Sequence, residues 1–214
     1  MTIYKAPLRD MTFVLDEVLD VDRYSNLPAF SEAPKDIRDA ILGEAAKFAE
    51  SEIHPLNRGG DLNGCKRSDD GSVTTPPGYK DVYAKFTEAG FTGIASDPEY
   101  GGQGLPNVLK LGLNEMVSSA CMAFGMYPGL TIGAATALEV GGSDEQKRTY
   151  LPNMLAGKWG GTMNLTEPHC GTDLGMLKTK AVPQGDGTYK ITGQKIWISS
   201  GEHDLTENII HLVL

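Results

Sequence analysis

Residues 107–141 form an apolar stretch that predicts helix buried in a protein core. They read NVLKLGLNEMVSSACMAFGMY, then Pro128, then GLTIGAATALEVG. Apolar side chains occur on nearly every side of a helical projection of both segments, which is typical of helices enclosed by other helices. The stretch therefore predicts two helices at the centre of a bundle, with other segments supplying the outer layer.

Helical periodicity also marks the segments around this centre. A short helix opens the chain, a second is predicted from Pro34 and ends before Pro55, and a third stops at Gly90. Residues 57–78 are rich in Gly, Asp and Ser and predict an exposed loop. Ser143 is predicted to cap a further helix, because a serine before a helical pattern can accept a first-turn amide hydrogen.

The pattern changes from helix to strand in the last quarter of the chain. Four segments have strand patterns: WGGTMNLTE, LGMLKTKAVPQ, GDGTYKITGQKIWISSG and ENIIHLVL. In the third, the alternation of Tyr189 and Ile191 slips near Gly193, which predicts a β-bulge within one long strand. The chain is thus predicted to be α+β, with an all-α bundle at residues 1–157 and the start of an antiparallel β unit at residues 158–214.

Charge and cysteine content argue against several functions. The formal net charge is −9 and no Lys/Arg cluster offsets it, so nucleic acid is not expected as a partner. Three widely spaced cysteines without a C-x-x-C pair predict free thiols in a reducing compartment. The histidines lack metal-ligand spacing, so no metal site is expected. No signal peptide and no apolar run of about 20 residues is seen, which predicts a cytoplasmic protein without a membrane span.

The segment MNLTEPHCGTDLG concentrates small hydrogen-bond donors in a turn. Pro168 and Gly171 would be enough to shape the turn itself. Thr166, Thr172 and the backbone amides around Gly171 add donors that suit an anionic or carbonyl-rich ligand. A glutamate before proline at a strand end is typical of turn structure, so Glu167 is not predicted to be a catalytic base.

Three motifs follow one another along the chain: PEYGGQG, MNLTEPHCGTD and ITGQKIWISSG. A helical half followed by the second and third motifs resembles the acyl-CoA dehydrogenases. The resemblance includes the glycine loop PEYGGQG and covers essentially the whole chain. The opening YKAPLRDMTFVLDEVLD is similar to the N-terminal extension of a long subgroup that includes the 3-methylmercaptopropionyl-CoA dehydrogenases. The resemblance implies the family's N-terminal domain and the start of its barrel-like β middle domain, with the C-terminal helical domain absent from this chain.

The resemblance implies FAD as the cofactor. A flavin ring is a flat aromatic plate edged with carbonyls and ring nitrogens, so it needs an aromatic or apolar wall and donors along its edge. Trp197 would be that wall, with core filler as the alternative for a strand tryptophan. Thr166 and Ser199 would bond the pyrimidine side and N5 region, and Thr172 the pyrophosphate. The expected cofactor-binding residues are Met163, Leu165, Thr166, Gly171, Thr172, Trp197, Ile198 and Ser199.

The glycine loop PEYGGQG is the candidate substrate-binding segment. It lacks the G-x-G-x-x-G pattern and a flanking βαβ unit, which disfavours a Rossmann dinucleotide site. We interpret it as a tight loop that borders the acyl pocket, with a plain turn as the alternative. The residues expected near the acyl-CoA are Tyr100, Gly101, Gly102 and Thr172.

The implied reaction is the α,β-desaturation of an acyl-CoA thioester. In the family a glutamate of the C-terminal helical domain takes the α proton, so it would lie beyond Leu214 and no catalytic residue is assigned in this chain. Electron-transfer flavoprotein is the implied electron acceptor, and a homo-oligomer the implied assembly. The alternative is a non-catalytic module that binds an acyl-CoA or a protein. The final strand is apolar, which predicts that the chain is part of a longer protein. Alone, it is expected to retain flavin weakly and to expose an apolar surface where the missing helices would pack.

Overall fold

The computed structural model describes residues 3–214. The helices are α1 (Leu8–Phe13), α2 (Pro28–Ser31), α3 (Lys35–Phe48), α4 (His54–Asn63), α5 (Tyr79–Glu88), α6 (Asn107–Gly141) and α7 (Asp144–Leu155). The strands are β1 (Lys66–Arg67), β2 (Val73–Thr74), β3 (Trp159–Asn164), β4 (Lys180–Pro183), β5 (Tyr189–Thr192) and β6 (Asn208–Val213). A π turn extends α1 over Val14–Val18, and another joins α3 to α4 over Ala49–Ile53.

Helix α6 lies at the centre of the helical bundle, as predicted. Leu113, Met116 and Phe124 on this helix are fully buried, and α6 packs against α3 and α4. The rings of Tyr79 and Phe86, both on α5, meet Phe124 edge to face with centroids 5.8 and 6.1 Å apart. Aromatic pairs of this geometry stabilise a core beyond the area that they bury.

The sequence predicted two central helices divided near Pro128; α6 does consist of two helical segments, but the kink that divides them is at Cys121, and Pro128 lies inside the second segment. The backbone at Cys121 has φ −159° and ψ 95°, and the Tyr79 hydroxyl contacts the Cys121 Sγ at 3.5 Å. By length and composition α6 could also span a membrane, although 44% of its most apolar 18-residue window is buried in the bundle. The expectation that no apolar stretch reaches membrane-spanning length was therefore wrong, and the absence of a span stays a prediction.

The predicted end of the second helix before Pro55 was also wrong. The π turn at Ala49–Ile53 shifts the hydrogen-bond pattern, so that Pro55 falls in the first turn of α4. The residues on both sides of the π turn keep helical dihedral angles, so the altered hydrogen-bond pattern accommodates Pro55 without ending the helix. The first residues of the expected loop are therefore helical, and the rest contains the short hairpin β1–β2.

The predicted cap of α7 is confirmed. Ser143 Oγ accepts a hydrogen bond from Gln146 N at 3.2 Å, and the Gln146 side chain accepts one from Ser143 N at 2.8 Å. This reciprocal pair satisfies two amides that the helix itself cannot bond.

Removing this cap should destabilise the protein measurably. We expect Ser143→Ala to lower the free energy of unfolding by about 1 kcal/mol, because an N-cap hydroxyl satisfies an otherwise unpaired amide. Urea unfolding followed by circular dichroism measures the change. Ser143→Thr keeps the hydroxyl and should lie close to the unsubstituted protein, so equal losses in both variants would contradict the assignment.

The strands form two separate pairings near the end of the chain. Strand β3 pairs parallel with β6, from Trp159 opposite Asn208 to Asn164 opposite Val213, whereas β4 and β5 form an antiparallel hairpin. The antiparallel expectation is thus correct for the hairpin and wrong for β3 and β6. Residues 165–207 connect β3 to β6, and a long crossover connection of this kind is what parallel pairing requires.

The hairpin of β4 and β5 is exposed along its whole length. Its apolar side chains Val182, Tyr189 and Ile191 are all more than half exposed, at 53%, 62% and 56%. The hairpin thus exposes apolar side chains, whereas the expectation that such a surface marks the packing site of further helices stays a prediction.

Strand β3 lies directly against α6. Gly161 N donates a hydrogen bond to Thr131 Oγ1 at 3.1 Å, and a Cβ added at Gly161 would stand 2.6 Å from the Ala134 Cβ. The absence of a side chain lets the strand backbone approach the helix this closely. This contact fixes the end of β3, and with it the turn that carries the candidate site, at the edge of the bundle.

Candidate functional site

The turn that follows β3 carries the first candidate residues. The strand ends at Asn164, so Leu165 and Thr166 follow it rather than lying within it as expected. Glu167 N donates to Cys170 O at 2.9 Å, and Cys170 N donates to Glu167 O at 3.1 Å. These two bonds close a tight turn immediately after Thr166.

The Glu167 carboxylate is buried and is held by four donors. Lys178 N donates to its Oε2 at 2.8 Å, while Thr179 N, Thr179 Oγ1 and Lys195 Nζ donate to its Oε1 at 2.9, 2.6 and 2.9 Å. The Thr179 hydroxyl and the Lys178 amide, with further help from Lys195, hold the pKa of Glu167 well below its usual range. A carboxylate kept ionised in this way is a poor proton acceptor. Glu167 therefore has a structural role, as its place before a proline indicated.

Acid should destabilise the fold partly through Glu167. The pKa of Glu167 is lowered in the folded protein, so its stabilisation is complete above the ordinary value of about 4.3 and is lost as pH falls below it. Urea midpoints at about pH 7 and about pH 3 measure the loss. We expect a smaller loss in Glu167→Gln than in the unsubstituted protein or in Glu88→Gln, an exposed control. Equal losses in all three would contradict the prediction.

Trp197 lies beside Thr166 but not in a strand. Strand β5 ends at Thr192, and Ile196 N donates to Thr166 O at 2.9 Å, which brings the next residue, Trp197, to the turn. Trp197 is 85% exposed and has φ 60°. Trp197 therefore lies outside the core of this chain. A bulky residue with positive φ is uncommon and costs energy, so its persistence suggests a functional constraint.

The long strand predicted through Ser199 was wrong because tertiary contacts redirect the chain after β5. A Cβ added at Gly193 would stand 2.2 Å from Thr179 Oγ1, so the backbone lies directly against Thr179. Two residues later, the Lys195 side chain reaches the turn after β3. Ile198 and Ser199 consequently lie outside any strand, and the predicted bulge is absent from this part of the described chain.

Gly171 and Thr172 are exposed beyond the tight turn. A Cβ added at Gly171 would approach only the Thr166 Cγ2, at 4.0 Å, and the backbone there is not left-handed. Neither the neighbours nor the backbone of this chain therefore require a glycine at this position. The open space over Gly171 fits the close approach of a ligand to the backbone. Thr166 is thus the shared neighbour of Gly171 on one side and of the Trp197 segment on the other.

The glycine loop forms a tight turn with its own hydrogen bonds. Gly102 N donates to Asp97 O at 3.0 Å, and a Cβ added at Gly102 would stand 2.1 Å from Ser96 O. Gly101 has φ 93°, and Tyr100 packs against the apolar cluster between α6 and α7. The turn itself explains both glycines, so the place of this loop beside an acyl-CoA stays a prediction.

Three potential metal ligands cluster at the turn after β3. One ligand atom each from Glu167, His169 and Cys170 lies within 4.8 Å of the others. However, Lys195 Nζ stands 2.9 Å from Glu167 Oε1, and His169 Nε2 lies 2.9 Å from the Met176 carbonyl oxygen. A metal ion would have to overcome a neighbouring positive charge and displace these bonds, so the cluster suits hydrogen bonding better than metal binding.

No sequence pattern indicated Thr179 and Lys195, two residues that shape the site. They meet Glu167 across 12 and 28 positions of the sequence, a separation that leaves no local pattern. The only local sign was the break in strand alternation before Trp197, which we interpreted as a bulge.

Comparison with known proteins extends these observations. Residues 35–158 match the acyl-CoA dehydrogenase N-terminal domain. The chain is 46% identical over 211 residues to 3-methylmercaptopropionyl-CoA dehydrogenase of Ruegeria pomeroyi, covering 99% of this chain and 36% of that protein. It is 39% identical to a butyryl-CoA dehydrogenase of Syntrophomonas wolfei, covering 99% and 35% of the two proteins. The chain thus spans about a third of the length of these curated relatives.

Solved structures show the same similarity. An acyl-CoA dehydrogenase of Bacillus anthracis complexed with FAD superposes with a TM-score of 0.68 and 26% identity, over 85% of this chain and 29% of that one. Butyryl-CoA dehydrogenase of Megasphaera elsdenii gives 0.66 and 25%, over 78% and 42%. Together with the family match over more than half of the sequence, these similarities show that the chain belongs to the acyl-CoA dehydrogenase family.

Proposed function

We propose that this chain forms the front part of the flavin and substrate site of an FAD-dependent acyl-CoA dehydrogenase. The observation that carries the proposal is the exposed indole of Trp197, held with positive φ next to Thr166. A tryptophan kept out of the core of this chain follows a residue bonded to the Thr166 carbonyl oxygen, and the backbone at Gly171 is open; this combination suits a flavin ring and its phosphates. FAD also occurs in the structurally similar dehydrogenase of Bacillus anthracis.

Each residue of the site has a distinct part in this proposal. The Trp197 indole covers one face of the ring and excludes water from it. The hydroxyls of Thr166 and Ser199 bond its polar edge, flanked by Met163, Leu165 and Ile198. Thr172 and the backbone at Gly171 meet the pyrophosphate, because the space over that glycine admits close approach. Bound FAD would accept the hydride that leaves the β carbon of the acyl group.

The α proton requires a separate base. The Glu167 carboxylate, which directly follows Thr166 in the sequence, is held ionised by four donors and is not available for that purpose. The resemblance to the family implies instead that the base is a glutamate of its C-terminal helical domain. Tyr100, Gly101, Gly102 and Thr172 are proposed to border the acyl-CoA.

The finer assignments rest on the relatives. The 46% identity to the Ruegeria pomeroyi enzyme favours 3-methylthiopropanoyl-CoA as the substrate. Electron-transfer flavoprotein is proposed as the electron acceptor, since a structure described as an electron transferring flavoprotein of Acidaminococcus fermentans is also similar, with a TM-score of 0.66 and 30% identity. We also propose that the protein is a homo-oligomer and that it is cytoplasmic.

Colour tests the proposal directly. The protein expressed from its complete reading frame should be yellow, and 3-methylthiopropanoyl-CoA added without oxygen should bleach its flavin absorbance. Butyryl-CoA serves as the comparison substrate, and its faster bleaching would overturn the substrate assignment. A colourless protein that FAD cannot reconstitute would instead favour a non-catalytic module that binds an acyl-CoA or a protein.

A further inference from the structure

The buried Glu167 carboxylate joins three segments that are far apart in the sequence. It belongs to the turn after β3 and accepts hydrogen bonds from the amides of Lys178 and Thr179, which lie just before β4. It also accepts a bond from Lys195, which follows β5. Only 2% of the Glu167 side chain and 9% of the Lys195 side chain are exposed, so the ion pair is largely shielded from water.

Lys195 bonds the same turn at a second point. Its Nζ donates to the Leu165 carbonyl oxygen at 2.9 Å as well as to Glu167 Oε1 at 2.9 Å. Leu165 immediately precedes Thr166, and Lys195 lies two residues before Trp197. The ammonium group therefore ties together the two stretches of backbone that carry the proposed flavin contacts.

Trp197 needs support of this kind. Its positive φ is unfavourable for a bulky side chain, and its exposed indole gains little from packing. The neighbouring bond from Ile196 N to Thr166 O holds the backbone at one point only. The two Lys195 hydrogen bonds fix the backbone at further points. They are largely shielded from water, so water molecules compete poorly with them.

We propose that Glu167 and Lys195 are positioning residues, a buried ion pair that holds Trp197 beside Thr166 and so sets the shape of the flavin-binding surface. Neither residue takes part in the chemistry. Only the expected effect on FAD affinity rests on the proposed function. The structural part of the proposal, that Lys195 immobilises Trp197, holds with or without a flavin.

The first test measures the mobility of Trp197 without any ligand. The chain has two tryptophans, Trp159 and Trp197, so a Trp159→Phe background leaves Trp197 as the only indole. We expect Lys195→Met to lower the fluorescence anisotropy of Trp197, and Lys195→Arg, which keeps a cation, to restore most of it. Lys190→Met on exposed β5 is the matched control and should change nothing. Unchanged anisotropy in Lys195→Met would overturn the proposal.

The second test asks whether Lys195 acts through Trp197. In the protein from the complete reading frame, Lys195→Met should weaken FAD binding about tenfold, as should Trp197→Ala, and the double variant should be no weaker than the worse single variant. Multiplicative effects of the two substitutions would show independent action and overturn the proposal. If Lys195→Met does not fold, Lys195→Gln keeps a donor without the charge and takes its place in both tests. Failure of the unsubstituted protein to bind FAD would overturn the proposed function alone, because the anisotropy test needs no flavin.

Discussion

Trp197→Ala is expected to weaken the binding of FAD by about ten- to a hundredfold. The side chain is 85% exposed, so its removal takes little from the core, and the loss falls on ligand contact. Stacking of an aromatic side chain on a planar heterocycle contributes about 1–3 kcal/mol per ring, which corresponds to this range of affinity. Calorimetric titration of the apoprotein with FAD, using protein from the complete reading frame, measures the change.

Two controls separate stacking from general damage. Trp197→Phe keeps an aromatic plane and should retain most of the affinity. Trp159→Phe alters the other tryptophan, which packs against Tyr150 with ring centroids 6.4 Å apart, and should leave FAD binding unchanged. If the alanine variant binds FAD as tightly as the unsubstituted protein, Trp197 does not contribute to FAD binding.

Gly161→Val should be the most destabilising single substitution in the contact between β3 and α6. The new Cβ would stand 2.6 Å from the Ala134 Cβ and 3.1 Å from the Thr131 Cα, and backbone atoms in a buried helix cannot move aside easily. Overpacking of this kind costs about 3 kcal/mol, which corresponds to a fall in Tm of about 10 °C for a chain of this size. Differential scanning calorimetry measures the fall.

Gly133→Ala is the matched control for that experiment. Gly133 also lies in α6, is exposed, and has no atom within 4 Å of an added Cβ. Alanine in an exposed helix interior is more stable than glycine by about 0.5–1 kcal/mol, so Tm should rise slightly. A Gly161→Val protein as stable as the control would show that β3 does not lie against α6.

Local patterns in the sequence predicted the parts of the fold that depend on neighbouring residues. The cap at Ser143 is confirmed because both partners lie within one helical turn. The end of α5 at Gly90 is confirmed because a left-handed residue, φ 75° here, closes the helix. The helix end predicted before Pro55 was wrong because a π turn, which has no clear sequence signature, changed the position that this proline takes in the helix.

Sequence motifs supplied the candidate residues Thr166, Gly171, Thr172 and Trp197 but not the geometry of the site. Hydroxyls, glycine and tryptophan could be recognised from three motifs. The positive φ of Trp197 and the parallel pairing of β3 with β6 could not, because both depend on contacts between distant segments. The buried pair of Glu167 and Lys195 is the clearest case, since a separation of 28 residues leaves no local signal.

The position of Trp197 against bound flavin is the central claim, and fluorine NMR tests it most directly. Protein from the complete reading frame is labelled with 5-fluorotryptophan, and the Trp197 resonance is identified by its absence from Trp197→Phe. We predict that FAD shifts this resonance through the ring current of the adjacent flavin and leaves that of Trp159, identified in the same way, nearly unchanged. A Trp197 resonance that does not move at saturating FAD would contradict the account.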